Sequence, residues 1–180
     1  MTFQEISALI VERFPDIAVD ADTKGPQPIL IVPVEKIAEI CAFLHQDNRL
    51  FFDHLACITA IDNGPGLATM EVIYNLTSIP YHTDLAIKAV FPRNAESDPL
   101  PSVPTVSHIW RTANWHEREA FDLMGIHFEG HPDLRRILLP EDWEGHPLRK
   151  DFTVQDRYHG IYVRYEDGAP GQELVGPDRT

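Results

Sequence analysis

The densest cluster of reactive side chains in the 180-residue chain is the stretch Asn114-Trp-His-Glu-Arg-Glu-Ala-Phe-Asp-Leu-Met-Gly-Ile126. Glu117 and Glu119 have the residue types of an acid–base pair. Two positions apart on a helix, however, they point about 200° from each other and cannot work on one substrate. Glu117 shares a side with Trp110, Phe121 and Met124, and a carboxylate on that apolar side is costly unless a partner neutralises it. Arg135, Arg136, Arg149 or another subunit could be that partner. Arg118 and Asp122 stand at the four-residue spacing of an ion pair. Asn114 is suited to cap the helix, and Gly125 to end it in the left-handed conformation.

Other chemistries find less support. Among the nine histidines, His127 and His131 lie four apart with Glu129 and Asp133 nearby. Gly130 falls between them and Pro132 follows, which breaks the helix that would make such a pair a good chelate. His131 and His146, each between Gly and Pro, are instead expected to fix turns by bonding backbone carbonyls. Cys41 and Cys57 sit singly in apolar segments and form no C-x-x-C, so they are expected to be buried free thiols. They can build neither a disulfide framework nor a Cys-ligated iron–sulfur cluster. There is no G-x-S-x-G elbow, and Asn63-Gly-Pro-Gly66 reads as a hairpin turn rather than a phosphate cradle. Trp115, Trp143, Phe152, Tyr158, Tyr162 and Tyr165, interleaved with Arg, have the composition of a surface that binds other proteins.

The elements that must position these residues can be read in order. Phe3, Ile6, Leu9 and Ile10 follow a helical period that Pro15 ends, and Ile17 to Asp22 could be a strand. Ile29–Val32 suits a buried strand, and Pro33 fits the first turn of a helix whose inner face is Ile37, Ile40, Cys41 and Leu44. Leu50 to Ile61 and Ala68 to Leu76 read as a hairpin about Asp62–Gly66, and Thr83 to Phe91 as a further strand. This order predicts an α+β fold: one N-terminal domain with a mixed sheet and covering helices, followed by an extended C-terminal arm. The expected division is 1–128 for the domain and 129–180 for a docking arm. Pro92, Pro99, Pro101 and Pro104 make the stretch between them a connector, since proline denies a sheet its donors. Gly130-His-Pro-Asp-Leu-Arg-Arg136 and Gly145-His-Pro-Leu-Arg-Lys150 look like two versions of one phrase and suggest two similar docking contacts.

Bulk properties narrow the class. The chain is 43% hydrophobic and 24% charged, with no apolar run near the roughly 20 residues that span a bilayer. Its net charge of −13 disfavours nucleic acid and anionic lipid as partners. Glu5 and Glu12 argue against a transit peptide, so a cytoplasmic location is expected.

From Glu117-Arg-Glu119 through Asp122, His131, Arg135 and Ile137-Leu138, the sequence resembles the signature of the 30-kDa subunit family of respiratory complex I. Leu139-Pro-Glu-Asp-Trp-Glu-Gly-His-Pro-Leu-Arg-Lys-Asp-Phe152 resembles the family's continuation. The resemblance implies the C subunit of a proton-pumping NADH-quinone oxidoreductase, in the hydrophilic arm at the cytoplasmic face of the membrane. It implies no catalytic, cofactor or metal site in this chain, with FMN and iron–sulfur clusters carried by other subunits. The implied partners are the 49-kDa-type subunit, near the quinone site, and the B and I subunits of the same arm. The residues it singles out are Glu117, Arg118, Glu119, Asp122, Gly125, His131, Arg135, Arg136, Trp143, His146 and Arg149. Left open are an equivalent subunit of a ferredoxin-linked complex or membrane-bound hydrogenase, and a stand-alone metal-dependent hydrolase using His127 and His131.

Overall fold

Thr2 starts the first helix with a reciprocal cap, its N–H donating to the Glu5 carboxylate at 2.7 Å while its hydroxyl accepts from the Glu5 N–H at 3.3 Å. The computed structural model describes residues 1–95 and 98–163. Helix α1 (Phe3–Arg13) buries Ile6 and Ile10. A 3₁₀ turn at Val34–Lys36 leads into α2 (Ile37–Gln46), which buries Ile37, Ile40, Cys41 and Leu44, the face expected from their spacing.

Five strands form one sheet: β1 (Asp20–Asp22), β2 (Ile29–Val32), β3 (His54–Asp62), β4 (Thr69–Ser78) and β5 (Thr83–Pro92), in the order β1-β2-β5-β4-β3. β2 and β5 run parallel and the other pairs antiparallel, so the sheet is mixed. Alternation puts Met70, Val72, Tyr74 and Leu76 of β4 and Leu85, Ile87, Ala89 and Phe91 of β5 on the face that joins α1 and α2 in one core. On the opposite face, Lys88 bonds Glu71 at 3.1 Å. The architecture is α+β.

Several boundaries differ from the sequence reading. The first strand is only Asp20–Asp22, and Ile17 and Val19 pack on the core from the loop before it. The strand expected from Leu50 begins at His54, because Phe51 takes a positive φ of 38° and turns the chain. The connector contains a strand after all. β6 (Ser102–Pro104) pairs in parallel with β7 (His127–Glu129), using backbone groups that its prolines leave free. Cys57 is half-buried and takes a bond from Asn75 Nδ2.

The third helix, α3, spans Ala113–Met124 and packs on β3. Asn114 does not cap it. The preceding residue, Thr112, is itself helical, and its hydroxyl donates instead to Leu55 O. Beyond β7 the chain runs along α3, and the last described residues include a two-stranded hairpin, β8 (Arg157–Tyr158) and β9 (Ile161–Tyr162). His159 and Gly160 supply the two positive φ values of its turn. The expected interface role of Tyr165 and the extended end beyond 163 lie outside the described residues.

Ile87 sits on the central strand with no exposure, whereas Val90 on the same strand is 38% exposed. Ile87→Ala should therefore cost roughly 2–5 kcal/mol in denaturant unfolding, and Val90→Ala less than about 1 kcal/mol. Equal losses would contradict this assignment of faces.

Candidate functional site

Helix α3 carries three buried polar side chains, Glu117, Arg118 and Asp122, and each has a different solution to burial. Glu117 is fully buried and is paired with none of the arginines expected for it. Its Oε1 accepts from the Val106 N–H at 2.7 Å, and the Thr105 hydroxyl bonds Oε2. Thr105 is set in place by the β6–β7 pairing, its N–H donating to Glu129 O at 3.0 Å. Burial pushes the Glu117 carboxyl up to about 7, and its two hydrogen bonds only partly offset that. Neutral glutamic acid is thus a normal state of this site near neutral pH. The sequence reading missed Thr105, although a threonine just after a strand and two before a serine is a familiar turn signal.

His131 Nε2 lies 3.9 Å from Glu117 Oε2. Its Nε2–H donates to Asn114 O at 3.2 Å, while its Nδ1 accepts the Asp133 N–H at 3.0 Å. Those two bonds require the neutral ring. Burial, with the nearby Arg118 charge, lowers its pKa. His127 instead faces Ser102 at 3.4 Å, so the two histidines do not converge. Among the described residues, no group of three or more His, Cys, Asp or Glu could hold a metal ion.

Asp122 does not pair with Arg118. Its Oδ2 accepts three successive backbone N–H groups, from Ile137, Leu138 and Leu139, at 3.0, 2.8 and 3.0 Å. Its Oδ1 takes Arg136 Nη1 at 2.8 Å. Burial works against the charge, but these four donors outweigh it and hold the carboxyl below its ordinary range. With Asp122 filled, Arg118 turns over the Trp115 ring at 5.1 Å and donates from Nε to Arg135 O.

The C-terminal end of α3 is then closed by the downstream chain. Asp122 O accepts from Arg136 Nη1 and His146 Nδ1, and Leu123 O from the Leu148 N–H. Met124 O accepts from Arg149 Nε and Gly125 O from Arg149 Nη2. Carbonyls that a helix end normally leaves to solvent are all occupied, and two cations meet the negative end of its dipole. Gly125 has a φ of 67°, and a Cβ there would come within 2.6 Å of His146 Nε2 and 2.8 Å of Arg149 Nη2. The two Gly-His-Pro phrases therefore meet opposite ends of one helix, His131 at Asn114 and His146 at Asp122. Each follows a glycine near φ 80°.

A second anchor was not visible in the sequence. Asp62 accepts from Gly64 N–H and Arg93 Nε through Oδ1, and from Lys150 N–H through Oδ2, each at 2.9 Å. Arg93 also pairs with Asp151. Asp62 reads locally as a turn residue bonded to Gly64, and its partners Arg93 and Lys150 are too distant in sequence to signal. Of the remaining motif residues, Glu119 is exposed, and Arg135 is an exposed side chain paired with Asp133 at 3.0 Å. Trp143, expected at the surface, is half-buried against Tyr158, with ring centroids 5.3 Å apart. Phe152 and Tyr158 are also half-buried, whereas Tyr162 is exposed.

A family model described as the respiratory-chain NADH dehydrogenase 30 Kd subunit matches residues 30–158, from β2 to β8. The chain belongs to this family. A protein named as the C subunit of NADH-quinone oxidoreductase, from Chloroherpeton thalassium, is 44% identical over 158 residues, covering 87% of this chain and 63% of that one. The C subunit from Chlorobium phaeobacteroides is 40% identical over 159 residues, covering 87% and 92%. From Rhizobium etli, the C subunit numbered 2 is 44% identical over 176 residues, covering 95% and 87%. Among solved structures, a chain of the archaeal membrane-bound sulfane sulfur reductase superposes with a TM-score of 0.69 at 25% identity. That match covers 94% of this chain and 98% of the archaeal one. The match to the 30 Kd family takes in the whole of α3 and both Gly-His-Pro phrases.

Two substitutions test the geometry. Asp122→Ala takes the carboxylate from Arg136 and leaves three amides without an acceptor, and should cost roughly 3 kcal/mol of unfolding free energy, with early proteolysis within 130–150; wild-type protection would refute the anchor. Because the native Asp122 pKa is lowered, its contribution is present above the unfolded carboxyl's titration and is lost as pH falls through the native value. Glu117 has the opposite sign. Between about 4.5 and 7 the native state keeps a proton that the unfolded chain releases, so stability falls by roughly 3 kcal/mol as pH rises through that window. In Glu117→Gln that part of the slope should vanish from urea midpoints recorded across pH, and an unchanged slope would contradict a neutral native Glu117.

Proposed function

We propose that this chain is a cofactor-free subunit of the hydrophilic arm of a proton-translocating NADH-quinone oxidoreductase. In that assembly, electrons pass from NADH through FMN and iron–sulfur clusters on other subunits to quinone. The observation that carries the reading is the family match over residues 30–158, together with relatives named as C subunits of that enzyme. The chain supports assembly, packing on a 49-kDa-type subunit near the quinone site and on the neighbouring B and I subunits. It has no active site of its own. Two features support the supporting role: the polar groups of α3 bond mainly to this chain's own backbone, and Cys41 and Cys57 lie on separate elements. Residues 129–180 act as the docking arm, with Tyr162 and Ile161 exposed on its hairpin.

No helix among the described residues is long and apolar enough to cross a membrane; the position we propose is a peripheral one, on the cytoplasmic face of the membrane. A second reading draws on the likeness to the sulfane sulfur reductase chain: an equivalent subunit of a ferredoxin-linked complex or membrane-bound hydrogenase. The chains that co-purify with a tagged form decide between them. Flavin- and NADH-binding subunits support the first reading, and their absence beside a 49-kDa-type chain supports the second. Glu117→Ala or Arg135→Ala should lower the content of assembled complex about tenfold, equivalent to roughly 1.4 kcal/mol. Normal complex content and NADH-dependent quinone reduction in both variants would overturn the assembly role.

A further inference from the structure

Among the described residues Arg118 is the one arginine that is buried. The residue is 7% exposed, yet it forms no ion pair among the described residues, while Arg93, Arg135 and Arg136 each have an aspartate. Arg149 also lacks a carboxylate, but its Nε and Nη2 reach Met124 O, Gly125 O and Asn94 Oδ1. For Arg118 the corresponding bond is a single one, Nε to Arg135 O at 3.2 Å. Its Nη groups meet no acceptor among the described residues. The neighbouring imidazole of His131 is held neutral by its own two bonds and offers no negative charge. The nearest acid on the helix at ion-pair spacing, Asp122, is already filled by four donors.

The side chain that covers the guanidinium is Trp115, which is 64% exposed. A large aromatic left in water beside a guanidinium whose Nη donors reach the surface without an acceptor is an incomplete arrangement. A guanidinium with open Nη donors and no counter-charge is short of a partner, and an exposed tryptophan next to an arginine is the composition of an interface hot spot. Both deficits are relieved by one event, the arrival of a carboxylate that meets the free Nη donors while its surroundings cover the indole. Guanidinium donors in a planar fork favour a carboxylate over a point-like acceptor.

We propose that Trp115 and Arg118 form a socket for an aspartate or glutamate side chain of another subunit of the complex. The socket deepens the reading of the chain as part of a larger assembly and rests on it. The occupant is a protein carboxylate in a locally apolar setting, because the stacked tryptophan offers one flat hydrophobic wall and the arginine one bidentate charge.

Structure determination of the purified complex containing this chain tests the socket directly. The expected result is an Asp or Glu of a different subunit with its oxygens about 3 Å from Arg118 Nη1 and Nη2 and with the Trp115 ring covered. R118Q should reduce complex content at least about tenfold, while R118K, which keeps the charge but loses the fork, should fall between R118Q and the wild type. A complex in which Arg118 meets no carboxylate, or meets one from a second copy or from residues 164–180 of this chain, would overturn the proposal and leave the family role intact. So would normal complex content in R118Q. A chain that co-purifies with no other subunit would overturn both.

Discussion

One carboxylate holds the segment that follows α3 to that helix. Asp122 accepts three consecutive amides from 137–139 with a single oxygen and an arginine with the other, all within a buried site. Successive N–H groups turned toward one anion make a nest, which fixes the path of the chain without help from regular secondary structure. Once 137–139 are fixed, Arg136 lies beside the end of α3, and the 146–149 turn supplies the remaining donors to the helix carbonyls. Segment 130–152 has no core of its own. Its order follows from electrostatics at a helix terminus and from Asp62, its second anchor.

Glu117 and Asp122 show how one residue class on one helix takes two states. The positions are about 140° apart around the axis, so they face different surroundings. Asp122 faces a crowd of donors and stays charged, whereas Glu117 faces β6 and the core, with two donors and a neutral histidine. Cation count alone does not separate them, since two of the arginines expected near Glu117, Arg136 and Arg149, are drawn to the helix end, where more acceptors are open, and the third, Arg135, pairs with Asp133. The geometry of available donors decides which acid keeps its proton.

Much of the fold was legible. The inner faces of α1 and α2, the β3–β4 hairpin and the glycine stop of α3 follow from spacing, because local sequence carries them. What could not be read came from partners far apart in the chain. The β6–β7 pair joins residues about twenty-five apart through backbone atoms, which carry no side-chain signature. The Arg118–Asp122 pair failed because a spacing rule cannot know that stronger donors arrive from 136–139. The doubled Gly-His-Pro phrase was visible as a repeat, but only the structure brings its two histidines to the two ends of one helix, bonding through different ring nitrogens.

Asp62 has a consequence for the order in which the chain is completed. Its Oδ2 waits for the amide of Lys150, 88 residues later, while its side-chain partner, Arg93, is shared with Asp151. As the polypeptide emerges during synthesis, the sheet can close around a buried acid whose last donor does not yet exist. The final locking of β3 to the segment that follows α3 is therefore a late event of folding, joined to the arrival of residue 150.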